Sequence, residues 1–170
     1  MIKKMSLVMA CLLLLLSNVL LAQNKYVGAE KCKMCHMSKG QQYPKWSTSK
    51  HAKAFETLKT DAAIQLGKTK GVTSPSTDDK CLKCHSTAAA TPANLNGGIT
   101  NADGVSCETC HGPGSTYKSM TLMKNRDDAK KNGLIIPDEK LCIKCHNAES
   151  PSFKGFDYAT YSAKISHKNP

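Results

Sequence analysis

Within Gly-Val-Ser-Cys-Glu-Thr-Cys-His-Gly-Pro-Gly, residues 104–114, stand Cys107, Cys110 and His111, a C-x-x-C-H unit. The same unit recurs as Cys32, Cys35 and His36, as Cys81, Cys84 and His85, and as Cys142, Cys145 and His146. Cysteine pairs at this spacing also suit all-cysteine zinc sites or short disulfides, but neither needs a histidine after every pair. Covalent c-type haem does. Two thiols add across the two vinyl groups, and the next imidazole ligates the iron. Four units therefore predict four haem c, with His36, His85, His111 and His146 as proximal ligands.

Six histidines are present, so four proximal roles leave two spare, His51 and His167. At most two haems can then be bis-histidine within one chain. The others take methionine, lysine, water, an open position or a group from another molecule, which matters because axial methionine raises a haem potential and an open iron binds small molecules. Met34 and Met37 are poorly placed to reach the far side of their own haem. Met120 and Met123 lie one helical turn apart and are better candidates for distal ligation, with packing against a porphyrin face as the other role for that pair.

The intervening segments must position these groups. A helix is expected over 43–59, with Pro44 near its start and His51, Phe55 and Leu58 on one face. Residues 61–68 read as one short helical turn, 71–80 as a polar loop, and 86–103, rich in Ala, Thr, Asn, Gly and Pro, as a flexible surface loop that ligates no iron. One or two short helices are expected over 117–131, ending near Gly133. A turn at Pro151 and a final helix N-capped by Asp157 complete the chain. The fold class predicted is mainly α, haem-packed, with short helices and long irregular loops, in one domain over 23–170.

The hydrophobic fraction is 40%, but much of the aliphatic content lies in the first two dozen residues, and the chain has one Trp and three Phe. Porphyrin would supply the missing apolar interior, so folding should depend on haem. Lys3 and Lys4, an apolar run over 5–21 and then Ala22 read as a secretory signal over 1–22, expected to be cleaved after Ala22, with a retained membrane anchor as the alternative. A periplasmic or extracellular location follows. The formal charge is +11, or +9 without Lys3 and Lys4. Haem propionates bring the holoprotein to about +5 oxidised and about +1 reduced, so the lysines suit an acidic redox partner rather than nucleic acid.

The residues resemble tetrahaem cytochromes of the cytochrome c-554 family. The match runs through Lys31-Cys-Lys-Met-Cys-His36, Trp46, Ser49-Lys-His-Ala-Lys-Ala54 with Leu58, the 104–114 stretch, the last motif and Ser150-Pro-Ser-Phe-Lys. The resemblance implies a helical protein with porphyrins packed in close pairs. It places His51 over the haem of Cys107 and Cys110, His167 over that of Cys142 and Cys145, and leaves the haem of Cys81 and Cys84 five-coordinate. The family's further distal histidine, shortly after Gly-Pro-Gly, has no counterpart here; Met120, Thr121 and Met123 stand there instead. The haem of Cys32 and Cys35 is then His/Met or open.

Three function classes fit. The leading one is an electron carrier outside the cytoplasm, exchanging electrons with redox partner proteins. Another is a reductase of nitric oxide, peroxide or hydroxylamine-like substrates at an open haem, although only Lys83 and Ser86 flank the second motif as polar helpers. The third is a homo-oligomeric filament in which His51 or His167 ligates a neighbour's haem.

Overall fold

The computed structural model describes residues 23–38 and 40–167; the expected signal segment lies outside them. The described residues form short helices and no strands, with one isolated parallel bridge between Tyr26 and Asn96. The helices are α1 (Glu30–His36), α2 (Gln42–Ser47), α3 (Ala54–Thr57), α4 (Asp61–Thr69), α5 (Asp79–His85), α6 (Cys107–His111), α7 (Met120–Met123), α8 (Arg126–Lys131), α9 (Glu139–Cys142) and α10 (Tyr158–Ile165), with 3₁₀ turns at Ala93–Leu95 and Asn101–Asp103.

Helix ends coincide with chemistry. Three helices, α1, α5 and α6, finish on the histidine of a C-x-x-C-H unit, and α9 finishes on the first cysteine of the fourth. Side chains just upstream satisfy the first free N–H groups: Asp78 accepts from Lys80, Ser106 from Glu108 and Asp138 from Leu141. Helix α1 has no such cap of its own. Carboxylates from far along the chain serve its entry instead: Asp103 Oδ1 accepts from Ala29 N at 2.9 Å, and Glu108 Oε2 accepts from Gly28 N at 2.8 Å.

Three sequence expectations are corrected. The helix expected over 43–59 is two pieces, α2 and α3, because tertiary hydrogen bonds claim the backbone between them. His51 O accepts from Val105 N at 2.9 Å, and Trp46 Nε1 donates to Val105 O at 2.9 Å. His51 therefore sits in a turn, not on a helical face shared with Phe55 and Leu58. The single turn expected at 61–68 is a nine-residue helix, capped by the Thr60 hydroxyl on Ala63 N. The loop over 86–103 is tied down along its length, with Ser86, Thr87 and Ile99 buried. Ser86 Oγ donates to Asn101 Oδ1 at 2.6 Å, Thr87 N to Gly104 O at 2.8 Å, and Tyr26 N to Leu95 O at 2.9 Å. Its short polar side chains act as staples rather than as solvated tips.

Elsewhere the expectations hold. Helices α7 and α8 span the 117–131 region, Gly133 follows at φ +103°, and Asp157 Oδ1 accepts from Thr160 N at 2.8 Å to cap α10.

The interior is thin. Among the described residues the buried apolar ones are Ala29, Ala54, Leu58, Val72, Leu82, Ile99, Tyr117 and Ala129, with no Phe, Trp or Met. Larger apolar side chains stand in the open beside the motifs: Met34 is 89% exposed within the first, Ile143 45% within the fourth. A fully buried side chain of this size contributes roughly 1.5–3 kcal/mol. Packing stabilisation is thus left unrealised around the C-x-x-C-H units, where a porphyrin would cover it.

Candidate haem-binding site

All eight motif cysteines are free thiols. They meet across motifs. The thiols of Cys32 and Cys107 are near enough to act on one another's ionisation, joining the first and third units. Cys84 likewise acts on Cys145, joining the second and fourth, and Cys142 acts electrostatically on Cys110, linking the third and fourth. The first unit thus lies by the third and the second by the fourth, and Thr87, just past the second, is also hydrogen-bonded to Thr109 within the third. Among the described residues no three His, Cys, Asp or Glu side chains converge as a bare metal ion would need.

Burial pushes the Cys110 thiol up to about 11, with Cys142 adding to it. Cys145 rises to about 12, chiefly by burial and then by the nearby Cys84. Buried thiols of this kind stay protonated, behaving as small apolar groups.

The spare histidines are both paired. His51 lies edge-on to His146 with ring centres 5.9 Å apart, and His167 lies against His111 at 5.7 Å. These are the reverse of the partners implied by the resemblance. The turn at 51–54 explains why: it is fixed by Val105, on the approach to the third unit, so its imidazole reaches past that unit to the fourth. An iron held about 2 Å from each of two imidazole nitrogens puts the ring centres roughly 6 Å apart, so both pairs fit one metal between them. No second imidazole is paired with His36 or His85 among the described residues. Met120 is 70% exposed at the start of α7 and Met123 is half-buried at its end.

Outer partners orient the motif imidazoles. His85 Nδ1 lies 2.8 Å from Ala54 O, and His111 Nδ1 lies 3.0 Å from Ile135 O. A carbonyl only accepts, so each Nδ1 carries the proton and each Nε2 keeps its lone pair for a metal. His36 Nδ1 is buried without such a partner. Burial lowers the pKa of His51, with His146 adding to the effect, and burial lowers that of His146 itself. His111 is lowered by burial against the opposing pull of the Ile135 carbonyl, and His167 by burial and then by the neighbouring His111. All four imidazoles therefore favour the neutral, ligating form.

Two supports escaped the sequence reading. Glu108, 1% exposed, accepts from Val27 N, Gly28 N at 2.8 Å and Gly114 N at 2.7 Å, tying the entry to α1 and the Gly-Pro-Gly turn to the third unit. One signal was available: the other three motifs each hold a lysine between their cysteines, and the third holds Glu108 instead. The second support is Gly104, at φ +57°, where a Cβ would lie 2.6 Å from Ala52 O and 2.8 Å from His51 O. Only glycine allows that approach.

Free thiol pairs, imidazoles spaced for a shared iron and uncovered apolar side chains such as Met34 and Ile143 within the motifs are the donor set and lining of a c-type haem protein. The comparisons narrow the class. Residues 31–112 match the family model for "Cytochrome c554 and c-prime". The chain is 32% identical, over 171 aligned positions, to cytochrome c-554 of Nitrosomonas europaea, an alignment covering 88% of this chain and 70% of that protein. No solved structure matches significantly. The chain belongs to the cytochrome c-554 family, haem-containing electron-transfer cytochromes with covalently bound c-type haem.

Proposed function

We propose that the chain carries four haem c and relays electrons through them outside the cytoplasm, as a carrier between redox partner proteins. The observation that carries this reading is the approach of thiols from different motifs, Cys32 to Cys107 and Cys145 to Cys84, with Cys142 within electrostatic reach of Cys110. Porphyrins attached at adjoining thiols sit close enough to hand an electron on. The haem group supplies the redox chemistry when bound; the chain fixes distances, ligands and docking charge.

Each residue has a definite task. The eight motif cysteines hold the porphyrins. His36, His85, His111 and His146 are proximal ligands, His51 pairs with His146, and His167 pairs with His111. His85 keeps an open distal side, and His36 takes Met120 or Met123 or stays open. Residues 1–22 direct export. Among the described residues no helix is long and apolar enough to cross a membrane.

The same geometry weighs against the other two readings. Lys83 is engaged with Glu149, and the Ser86 hydroxyl with Asn101, so neither polar neighbour of the second motif is free for acid/base work. His51 and His167 are both paired within the chain, which leaves no spare histidine for a filament neighbour.

The test is low-temperature electron paramagnetic resonance of the oxidised holoprotein with its intact mass. Four attached haems, low-spin signals from two bis-histidine irons and a high-spin signal from at least one iron are expected. Met120→Ala and Met123→Ala identify a methionine ligand by converting one further low-spin signal to high-spin. Fewer than four haems, or four bis-imidazole signals from a monomer, would refute this reading.

A further inference from the structure

Helix α10 buries none of its eight residues. Tyr158, Tyr161 and Ile165 recur at i, i+3 and i+7, one stripe of the helix, and Tyr161 is 42% and Ile165 36% exposed. The stripe connects inward. Tyr161 lies 5.1 Å from the Phe156 ring and 6.4 Å from His146, while Phe156 stacks on His146 at 4.8 Å and 18°. Three rings in mutual contact thus join the imidazole of the fourth motif to the surface.

The surroundings are basic. Lys164 Nζ lies 4.8 Å over the Tyr161 ring, and Lys154 and Phe153 join Tyr161 in lining a cleft of about 240 Å³ that reaches Cys145 and His146. Between 143 and 167 there are two carboxylates, and both are engaged: Glu149 with Lys83, Asp157 with the N-terminus of α10. Among the described residues, Lys144, Lys154 and Lys164 take part in none of the ion pairs. Aromatic side chains inside a charged rim form an effective protein-docking surface, the rim steering encounter and the aromatic centre holding contact.

We propose that the Tyr161 face of α10, rimmed by Lys154 and Lys164, is where an acidic one-electron redox protein docks and exchanges electrons with the haem of Cys142 and Cys145. The proposal rests on that motif carrying a haem. One electron passes between the partner's cofactor and the iron, one is oxidised as the other is reduced, and no bond forms or breaks. Tyr161 remains a phenol and keeps its proton; its ring is contact surface and path, not an electron store. The partner is a protein whose cofactor edge is ringed by carboxylates.

Reduced flavodoxin, an acidic one-electron donor, is mixed with oxidised holoprotein in a stopped-flow instrument at low and high salt. Lys154→Glu with Lys164→Glu lowers the low-salt second-order rate about tenfold and flattens its salt dependence. Tyr161→Leu lowers the rate several-fold with salt dependence unchanged, Tyr161→Phe restores it, and a control pair on α4 and beyond, Lys68→Glu with Lys70→Glu, changes it less than twofold. Equal loss in the control pair would overturn the proposal. So would a Tyr161→Leu variant whose haem potential shifts while its rate stays that of the wild type, since the ring would then be packing on porphyrin instead of meeting a partner. Dithionite, too small to need docking, reduces every variant; a wild-type protein lacking haem at Cys142 and Cys145 would instead sink the four-haem reading itself.

Discussion

The turn at 51–54 and the arm at 147–167 each bring one spare histidine to a motif histidine, by opposite means. The turn is held from three sides: Val105 bonds its backbone, Gly104 presses against Ala52 O, and Ala54 O takes the Nδ1 proton of His85. The arm is held by its own cap, the ring cluster at His146, the contact of His167 with His111, the surface pair of Glu149 with Lys83 and a hydrogen bond from Lys45 Nζ to Ser166 O. His51 is half-buried, and His167 is the more exposed of the two. The difference teaches that ligation and stability are separable here. One ligand is built into the scaffold, and the other is delivered by a segment whose packing depends on what it binds.

The harshest test of that contrast is Gly104→Ala. Positive φ and a 2.6 Å approach to backbone leave nothing flexible to yield, so we expect on the order of 4 kcal/mol of destabilisation, read as a large fall in thermal midpoint, with loss of one low-spin signal as His51 is displaced. Glu108→Gln comes next. It keeps one carbonyl oxygen for three buried N–H donors and costs about 2–3 kcal/mol in denaturant titration. The ligands themselves separate the regions: His51→Ala and His167→Ala each convert one iron to high-spin, but only His51→Ala lowers the unfolding midpoint appreciably. An equal drop in both would show that the arm is as integral as the turn.

Acid supplies a gentler probe. The folded-state pKa values of His51, His111, His146 and His167 are lowered, so as pH falls through 6.5 the unfolded chain takes up protons before the folded one does. Stability present above that value is lost progressively below it, until the lowered values are passed. Unfolding midpoints at pH 7.5 and 5.5 should differ in that direction, and less so in a His51→Gln variant. The smallest effect belongs to Lys83→Met. Its partner Glu149 is an exposed carboxylate, and breaking that surface pair should leave the thermal midpoint within measurement error.

What was legible in the sequence followed covalent and local rules. Spacing marked the attachment units, and Asp157 marked the start of α10 because capping is a matter of neighbouring residues. What was not legible depended on distant chain. The break at 48–53 arises from hydrogen bonds to Val105, 59 residues beyond Trp46, and no periodicity of 43–59 reports them. The partners of His51 and His167 likewise follow from where the turn and the arm are anchored. Residues 86–103 misled in the other direction, since a composition typical of solvated loops also suits a segment sewn down by hydroxyls and amides.

The interleaving of the motifs has a consequence for how such a cytochrome comes into being. Thiol neighbours are not neighbours along the chain: the first unit's thiol lies by the third, and the second's by the fourth, which is translated last. A nascent chain stopped before Cys142 would own three attachment sites, with the thiol neighbour of Cys84 still to come. The conducting path closes late, over long loops, and the finished circuit certifies that the whole polypeptide has arrived.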